Sequence, residues 1–179
     1  MNQHFAHPAP AAPAAPAVSL EAVEQLLFLE ADVLDRQQWD QWTQLYADDC
    51  LYWVPSWRNE ESLIEDPEME VNMIYIKGKA GLEARLFRIT SRDSYASLPL
   101  ARTSHLIGNV RIVGAAENGD ILVSAKWAVV SADGRRGKMV RSGWYDLTLA
   151  HTEDGLRIRK KKIILLEDMI DGTIDIFQI

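Results

Sequence analysis

LDRQQWDQWTQLYADDCLYWVPSWR, residues Leu34 to Arg58, changes its period partway, and that change decides the fold. Val23, Leu26, Leu27, Ala31 and Leu34, then Trp39, Trp42 and Tyr46, recur at three to four residues, the spacing of a buried helix face. Cys50 to Val54 is a short apolar, aromatic run closed by Pro55, which suits a strand ending there. Two helices are therefore expected to lead through an acidic turn at Asp48-Asp49 into the first strand of a sheet. The block holds four of the six tryptophans, and aromatic side chains bury more area than any others. Trp42 and Tyr52 are expected inside the chain's core. Trp53, Pro55, Trp57 and Arg58, beside a polar loop, are expected nearer a subunit contact.

Upstream, Ser19 is placed to cap a helix running to about Arg36, with Glu21 and Glu24 near its positive end. A second, short helix covers about Trp39 to Tyr46. Downstream, Ser56 to Glu68 reads as an acidic loop, and Val71 to Ile76 as a strand or the lead into a third helix. Gly78 breaks that run, and Ala80 to Arg92 reads as helix. Four long runs of β-formers follow: Thr103 to Ala115, Ile121 to Ala132, Lys138 to His151 and Leu156 to Leu166. The links Glu117-Asn118-Gly119-Asp120, Asp133-Gly134 and Glu153-Asp154-Gly155 are short turns, so neighbouring runs pair antiparallel. Helices first and a meander of strands second is an α+β pattern. Long strands twist, so the sheet curls around the helices into an open cone. Residues 19–179 are expected to form one domain behind a mobile, extended Ala/Pro-rich arm at 1–18.

A net charge of −7 speaks against nucleic-acid binding. The basic run Arg157 to Lys162 reads as a strand with a charged solvent face. No apolar run reaches membrane-spanning length, and the N-terminus lacks the basic and apolar regions of a signal peptide. Cys50 is the single cysteine, so an intrachain disulfide is impossible and a cytoplasmic protein is expected. Cys50 sits among aromatics, which suits an inert thiol.

Ligands for metals are scarce. A Rieske cluster needs two Cys and two His, and a mononuclear non-haem iron needs two His and a carboxylate. The histidines are His4, His7, His105 and His151, with no close-spaced ligand pair. No catalytic, cofactor-binding or metal residue is therefore expected here. His105 has two readings: a histidine hydrogen-bonded in the core, or an acid–base pair with Asp32 or Asp35 of the first helix in the pocket of the cone. Asp168 to Ile179 carries too much apolar surface to stay in water. From Thr173 it alternates as a final strand or as a tail against a neighbouring subunit, with Ile176, Phe177 and Ile179 at the contact.

The aromatic block resembles that of the small (beta) subunits of aromatic-ring-hydroxylating dioxygenases, the Rieske non-haem iron oxygenases, with a flavour closest to benzoate- and anthranilate-type enzymes. The resemblance continues through Ser62-Leu63-Ile64-Glu65-Asp66-Pro67, Gly81-Leu82-Glu83-Ala84-Arg85, Phe87-Arg88-Ile89 and Arg102-Thr103-Ser104-His105. It closes on Lys161-Lys162-Ile163-Ile164-Leu165-Leu166 and Ile174 to Ile179. It implies a nuclear-transport-factor-2-like (cystatin-like) half-open cone. It also implies a non-catalytic chain that self-associates as a beta trimer within an alpha-three beta-three hexamer. The Rieske [2Fe-2S] cluster and mononuclear iron would lie on the alpha subunit, with NADH serving a separate reductase. The complex would convert an aromatic carboxylate to a cis-dihydrodiol or catechol precursor. The competing reading is a free-standing lyase or isomerase of the same cone fold using His105 and Asp35.

Overall fold

The computed structural model describes residues 18–91, 99–134 and 137–179. The Ala/Pro-rich stretch therefore lies outside the described residues, as does the expected helix end at Arg92. Helix α1 (Leu20–Asp35) begins where Ser19 Oγ accepts a hydrogen bond from the Ala22 N–H at 3.1 Å. It stops in a Schellman turn: Gln37 enters the left-handed region at φ 56°, the Gln37 N–H bonds Leu34 O, and the Gln38 N–H bonds Val33 O. That reversal sets helix α2 (Trp39–Gln44) against α1 and carries Trp42 fully into the core.

Strands β1 (Tyr46–Pro55) and β2 (Asn72–Lys77) follow, then helix α3 (Lys79–Thr90). The second half is β3 (Arg102–Ala115), β4 (Ile121–Asp133), β5 (Gly137–Thr152) and β6 (Gly155–Leu165). These four strands are the antiparallel meander that the turn residues require. Gly155, at φ 98°, closes the tight β5–β6 turn in a conformation that side chains with a Cβ resist. All six strands join one sheet in the order β2-β1-β6-β5-β4-β3. The helices pack on one face of it, giving the α+β cone expected. Tyr52, Tyr145, Leu149, Ile158 and Ile163 project from that face into the core beside α1.

Two local expectations are corrected and one pairing is added. Asp48 and Asp49 form no turn; they lie inside β1, where the register against β6 slips between Tyr46 and Leu51 and leaves both acids exposed. The four runs of the second half are antiparallel as expected, and β1 adds a pair that no turn announces: it lies parallel to β6, Tyr52 opposite Lys161. Pattern reading missed that pair because its link is most of the chain rather than a turn. Finally, the C-terminus is neither a strand nor a tail on a neighbour. Residues Ile176–Gln178 make a 3-10 turn capped by Asp175, and Ile176, Phe177 and Ile179 are buried in the chain's own core. Arg85 holds Asp175 at 2.9 Å, and the Phe177 ring meets Trp39 edge-on at 6.4 Å.

Candidate functional site

Alternation along each strand sends side chains to two faces, and both carry unusual chemistry. On the inner face, Lys161 of β6 places Nζ 2.7 and 2.8 Å from the two oxygens of Glu30 on α1. Glu30 Oε1 also accepts from Tyr46 Oη at 2.7 Å and Trp42 Nε1 at 3.0 Å. Lys161 is wholly inaccessible and Glu30 nearly so. Burial pushes the Glu30 carboxyl up, but the Lys161 charge and the donors from Lys161, Tyr46 and Trp42 outweigh it and hold the group below the usual carboxylate range. Burial pulls Lys161 down from the ordinary lysine range, and the carboxylate beside it opposes that pull. Every neighbour of Glu30 in the network donates a hydrogen bond, so the pair is ionic. Tyr145 completes the cage, with Lys161 Nζ 4.3 Å from its ring centroid.

Farther along the inner face, Asp35 accepts from His105 Nδ1 at 2.6 Å, from the His105 backbone N–H at 2.8 Å and from Thr103 Oγ1 at 2.8 Å. Burial raises the Asp35 carboxyl, and these hydrogen bonds overcome it, so its pKa falls below the ordinary value. Asp32 does not join them; it pairs at the surface with Arg36, one helical turn on. The pair anticipated from the sequence is therefore His105 with Asp35. It fastens the end of α1 to the edge strand β3. The His105 side chain is 1% exposed and its Nε2 is buried with no hydrogen-bond partner among the described residues, so the pair gives a substrate no access from solvent.

The remaining expected site residues lie elsewhere. Trp53 and Pro55 are buried at the end of β1, Trp57 is half-buried and Arg58 is exposed. Trp53 lies under Lys160 and Lys162, whose Nζ atoms sit 5.6 and 4.5 Å from its ring centroid. Trp57 donates through Nε1 to Leu165 O at 2.9 Å and meets Trp144 edge-on at 6.5 Å. Lys126 covers the other side of that cluster, 4.9 Å from the Trp144 ring centroid. Arg58 is bound to Glu70 at 3.0 Å through Nε, which lowers the Glu70 carboxyl to about 2. Ile176, Phe177 and Ile179 leave no surface for a neighbour.

Pattern reading missed Glu30 and Lys161. The signal was present: Glu30 falls on the stripe Val23, Leu26, Leu27, Ala31, Leu34, and Lys161 shares the parity of Ile163 and Leu165. It also missed Trp144 and Lys126, which only the β4–β5 register brings together.

Cluster and metal chemistry do not fit these residues. Cys50 is buried, burial first and the Asp49 charge second pushing its thiol up to about 11, so it is a poor thiolate ligand. Among the described residues no three His, Cys, Asp or Glu side chains are grouped to hold a metal ion, and no helix is long and apolar enough to cross a membrane.

The fold is that of nuclear-transport-factor-2-like cone proteins. The model of the family "Ring hydroxylating beta subunit" matches residues 29–172, and the chain belongs to that family. The small subunit of 2-halobenzoate 1,2-dioxygenase from Burkholderia cepacia is 35% identical over 88% of this chain and 94% of its own length. The small subunit of anthranilate 1,2-dioxygenase from Acinetobacter baylyi is 34% identical over 88% of this chain and 96% of its own. Among solved structures, the beta subunit of benzoate 1,2-dioxygenase from Burkholderia mallei superposes with a TM-score of 0.75 at 28% identity, covering 92% of this chain and all of that one.

Proposed function

We propose that this chain is the non-catalytic small subunit of a multicomponent dioxygenase that hydroxylates an aromatic carboxylate of the benzoate and anthranilate class. The observation that carries the reading is end-to-end similarity to small subunits whose enzymes are named for halobenzoate, anthranilate and benzoate, all aromatic carboxylates. The partner alpha subunit holds the Rieske [2Fe-2S] cluster and the mononuclear iron, and a separate reductase supplies electrons from NADH. The product is a cis-dihydrodiol or catechol precursor. Three copies of this chain and three alpha subunits form the hexamer.

What this chain contributes is a rigid body. The Glu30–Lys161 network and the Asp35–His105 clasp fill the interior, where pocketed proteins of this shape hold a ligand. Its part in the reaction is to fix how alpha subunits are spaced, not to move a proton or bind the ring.

The test is co-expression with a Rieske-type alpha subunit of the benzoate and anthranilate class, followed by native mass spectrometry and product analysis on benzoate, anthranilate and an uncharged ring such as benzene. A complex of both chains turning over the carboxylates supports the reading. Turnover by this chain alone, or failure to bind any alpha subunit, overturns it. His105→Ala and Asp35→Asn assemblies that keep full turnover per complex separate a structural clasp from a lyase site.

A further inference from the structure

Three polar atoms on the inner face of the sheet have no hydrogen-bond partner among the described residues: His105 Nε2, Trp127 Nε1 and Tyr145 Oη. Solvent barely reaches the side chains that carry them, which are 1% exposed for His105, with Trp127 at 2% and Tyr145 at 1%. A buried polar atom has given up its hydration, and native interiors rarely leave one uncompensated. Three on neighbouring strands call for a common partner.

The register places them in one row. On β3, His105 stands opposite Val129, and two residues back along β4 Trp127 stands opposite Gly143 of β5. Tyr145 follows two residues further along β5. The three side chains thus step diagonally across β3, β4 and β5 on one face, within reach of each other for long side chains. Gly143 puts no side chain beside Trp127, and the indole stacks on the Tyr145 ring, centroids 5.5 Å apart and planes 10° from parallel. His105 belongs to the same neighbourhood through Asp35. Its Nδ1 is bonded to that carboxylate, whose charge also acts on the Tyr145 phenol. Burial first, then the charges of Glu30 and, more weakly, Asp35, push the phenol well above its ordinary range, so it keeps its proton.

The capacities of the three atoms define what can sit between them. Trp127 Nε1 only donates, and the protonated Tyr145 Oη has a proton to give. His105 turns its Nδ1 proton toward the Asp35 carboxylate, so in the neutral imidazole Nε2 presents a lone pair. A cation would meet two donors, and an anion would meet the imidazole lone pair. A hydroxyl oxygen suits all three: it accepts from Trp127 and Tyr145 and donates its own proton to His105. Buried waters typically make about three hydrogen bonds to groups of this kind.

We infer that the inner face holds a binding site for one small hydroxyl-bearing molecule, its oxygen seated between His105 Nε2, Trp127 Nε1 and Tyr145 Oη. Water is the smallest such molecule, and a small alcohol or phenol presents the same oxygen. The guest completes the Asp35–His105 clasp by holding the far nitrogen of the ring. The site lies within this chain alone and does not depend on the reading of the chain as a dioxygenase subunit.

The test is a crystal structure of the full-length wild-type chain, paired with the melting temperature of Tyr145→Phe. The wild-type structure is expected to show density for one oxygen within hydrogen-bond distance of all three atoms. Native and denaturing mass spectrometry separate the sources. A native mass equal to that of the polypeptide identifies water, and an added mass released on unfolding identifies an organic hydroxyl compound; either supports the site. Tyr145→Phe keeps the ring stacked on Trp127 and removes only the hydroxyl. With a guest bonded to that hydroxyl, the variant should melt about 2–4 °C lower, the effect of one lost hydrogen bond in a chain of this size. An unchanged or raised melting temperature would show that the hydroxyl had no partner, and would overturn the site. A wild-type structure with no density between the three atoms, or with protein groups bonded to them, would overturn it whether or not the variant folds.

Discussion

Lys160, Lys161 and Lys162 are consecutive, chemically identical and placed in two different worlds. The middle one is wholly buried on the inner face and bonded to both oxygens of Glu30. The outer two lie over the Trp53 ring, half-buried and without an ion pair among the described residues. Inside, the Lys161 charge is cancelled by the Glu30 carboxylate. Outside, the two ammonium groups stay partly in solvent and cover the buried Trp53 ring rather than entering the core. In a single strand, the step from one residue to the next separates what holds the chain together from what it leaves toward solvent.

Several measurements can break or sharpen this contrast. The largest effect is expected from deleting Ile176 to Ile179. Four buried side chains are lost, and the three apolar ones are each worth about 1.5–3 kcal/mol, so the chain should fail to melt cooperatively or melt far below wild type. A deletion that leaves melting and oligomer size unchanged would remove the C-terminus from the inner region.

Lys161→Met should come next, costing about 3–5 kcal/mol because it strands the Glu30 carboxylate in the core. Pairing it with Glu30→Leu should recover most of that loss in urea titrations, because two apolar residues replace a paired charge. No recovery would mean that the donors Tyr46 and Trp42, left without their acceptor, matter more than the pair.

Asp35→Asn should cost less, about 1–3 kcal/mol at neutral pH, by weakening three hydrogen bonds. Its pH dependence has a definite sign. Asp35 is depressed in the folded state, so its contribution is present above the unfolded value of about 3.9 and is lost as pH falls through the lower folded value. Wild type and variant stabilities should therefore converge as the pH falls below about 4. A constant gap over that range would show that the loss is packing rather than ionisation.

The smallest effect is expected on the outer face. Lys160→Gln and Lys162→Gln in the free chain should each cost no more than about 1 kcal/mol, the worth of an exposed cation–π contact. Were either to equal Lys161→Met, the two faces would not differ as described.

The fold was legible where local chemistry dictates it. Ser19, the glycines at the turns and the alternation of the last four runs placed α1 and β3 to β6 to within one or two residues. Illegible were features set by partners far along the chain. Asp48-Asp49 is turn chemistry by composition, and only pairing with β6 draws it into a strand. The Ile174 to Ile179 alternation is strand-like by period, yet Asp175 caps a 3-10 turn there and sends the chain into the core instead. His105 with Asp35 was readable as a candidate pair, because a histidine on an inward strand position and an acid at the helix end are both local facts. That the pair is sealed was not, since burial belongs to the finished sheet. Glu30 and Lys161, 131 residues apart, sat on recognisable inward positions, but nothing local matched them to each other.

The parallel union of β1 with β6 also sets a schedule. β1 is made early on the ribosome, and its neighbour on one side is the last strand to be synthesised. Until β6 emerges, Trp42, Tyr46 and Tyr52 have neither Lys161 nor the C-terminal turn to close over them. For most of its synthesis the nascent chain therefore carries an uncovered aromatic segment, the kind of surface that chaperones engage and that aggregates when crowded. Emergence of β6 and of the Ile176–Gln178 turn is the moment at which this aromatic segment is covered.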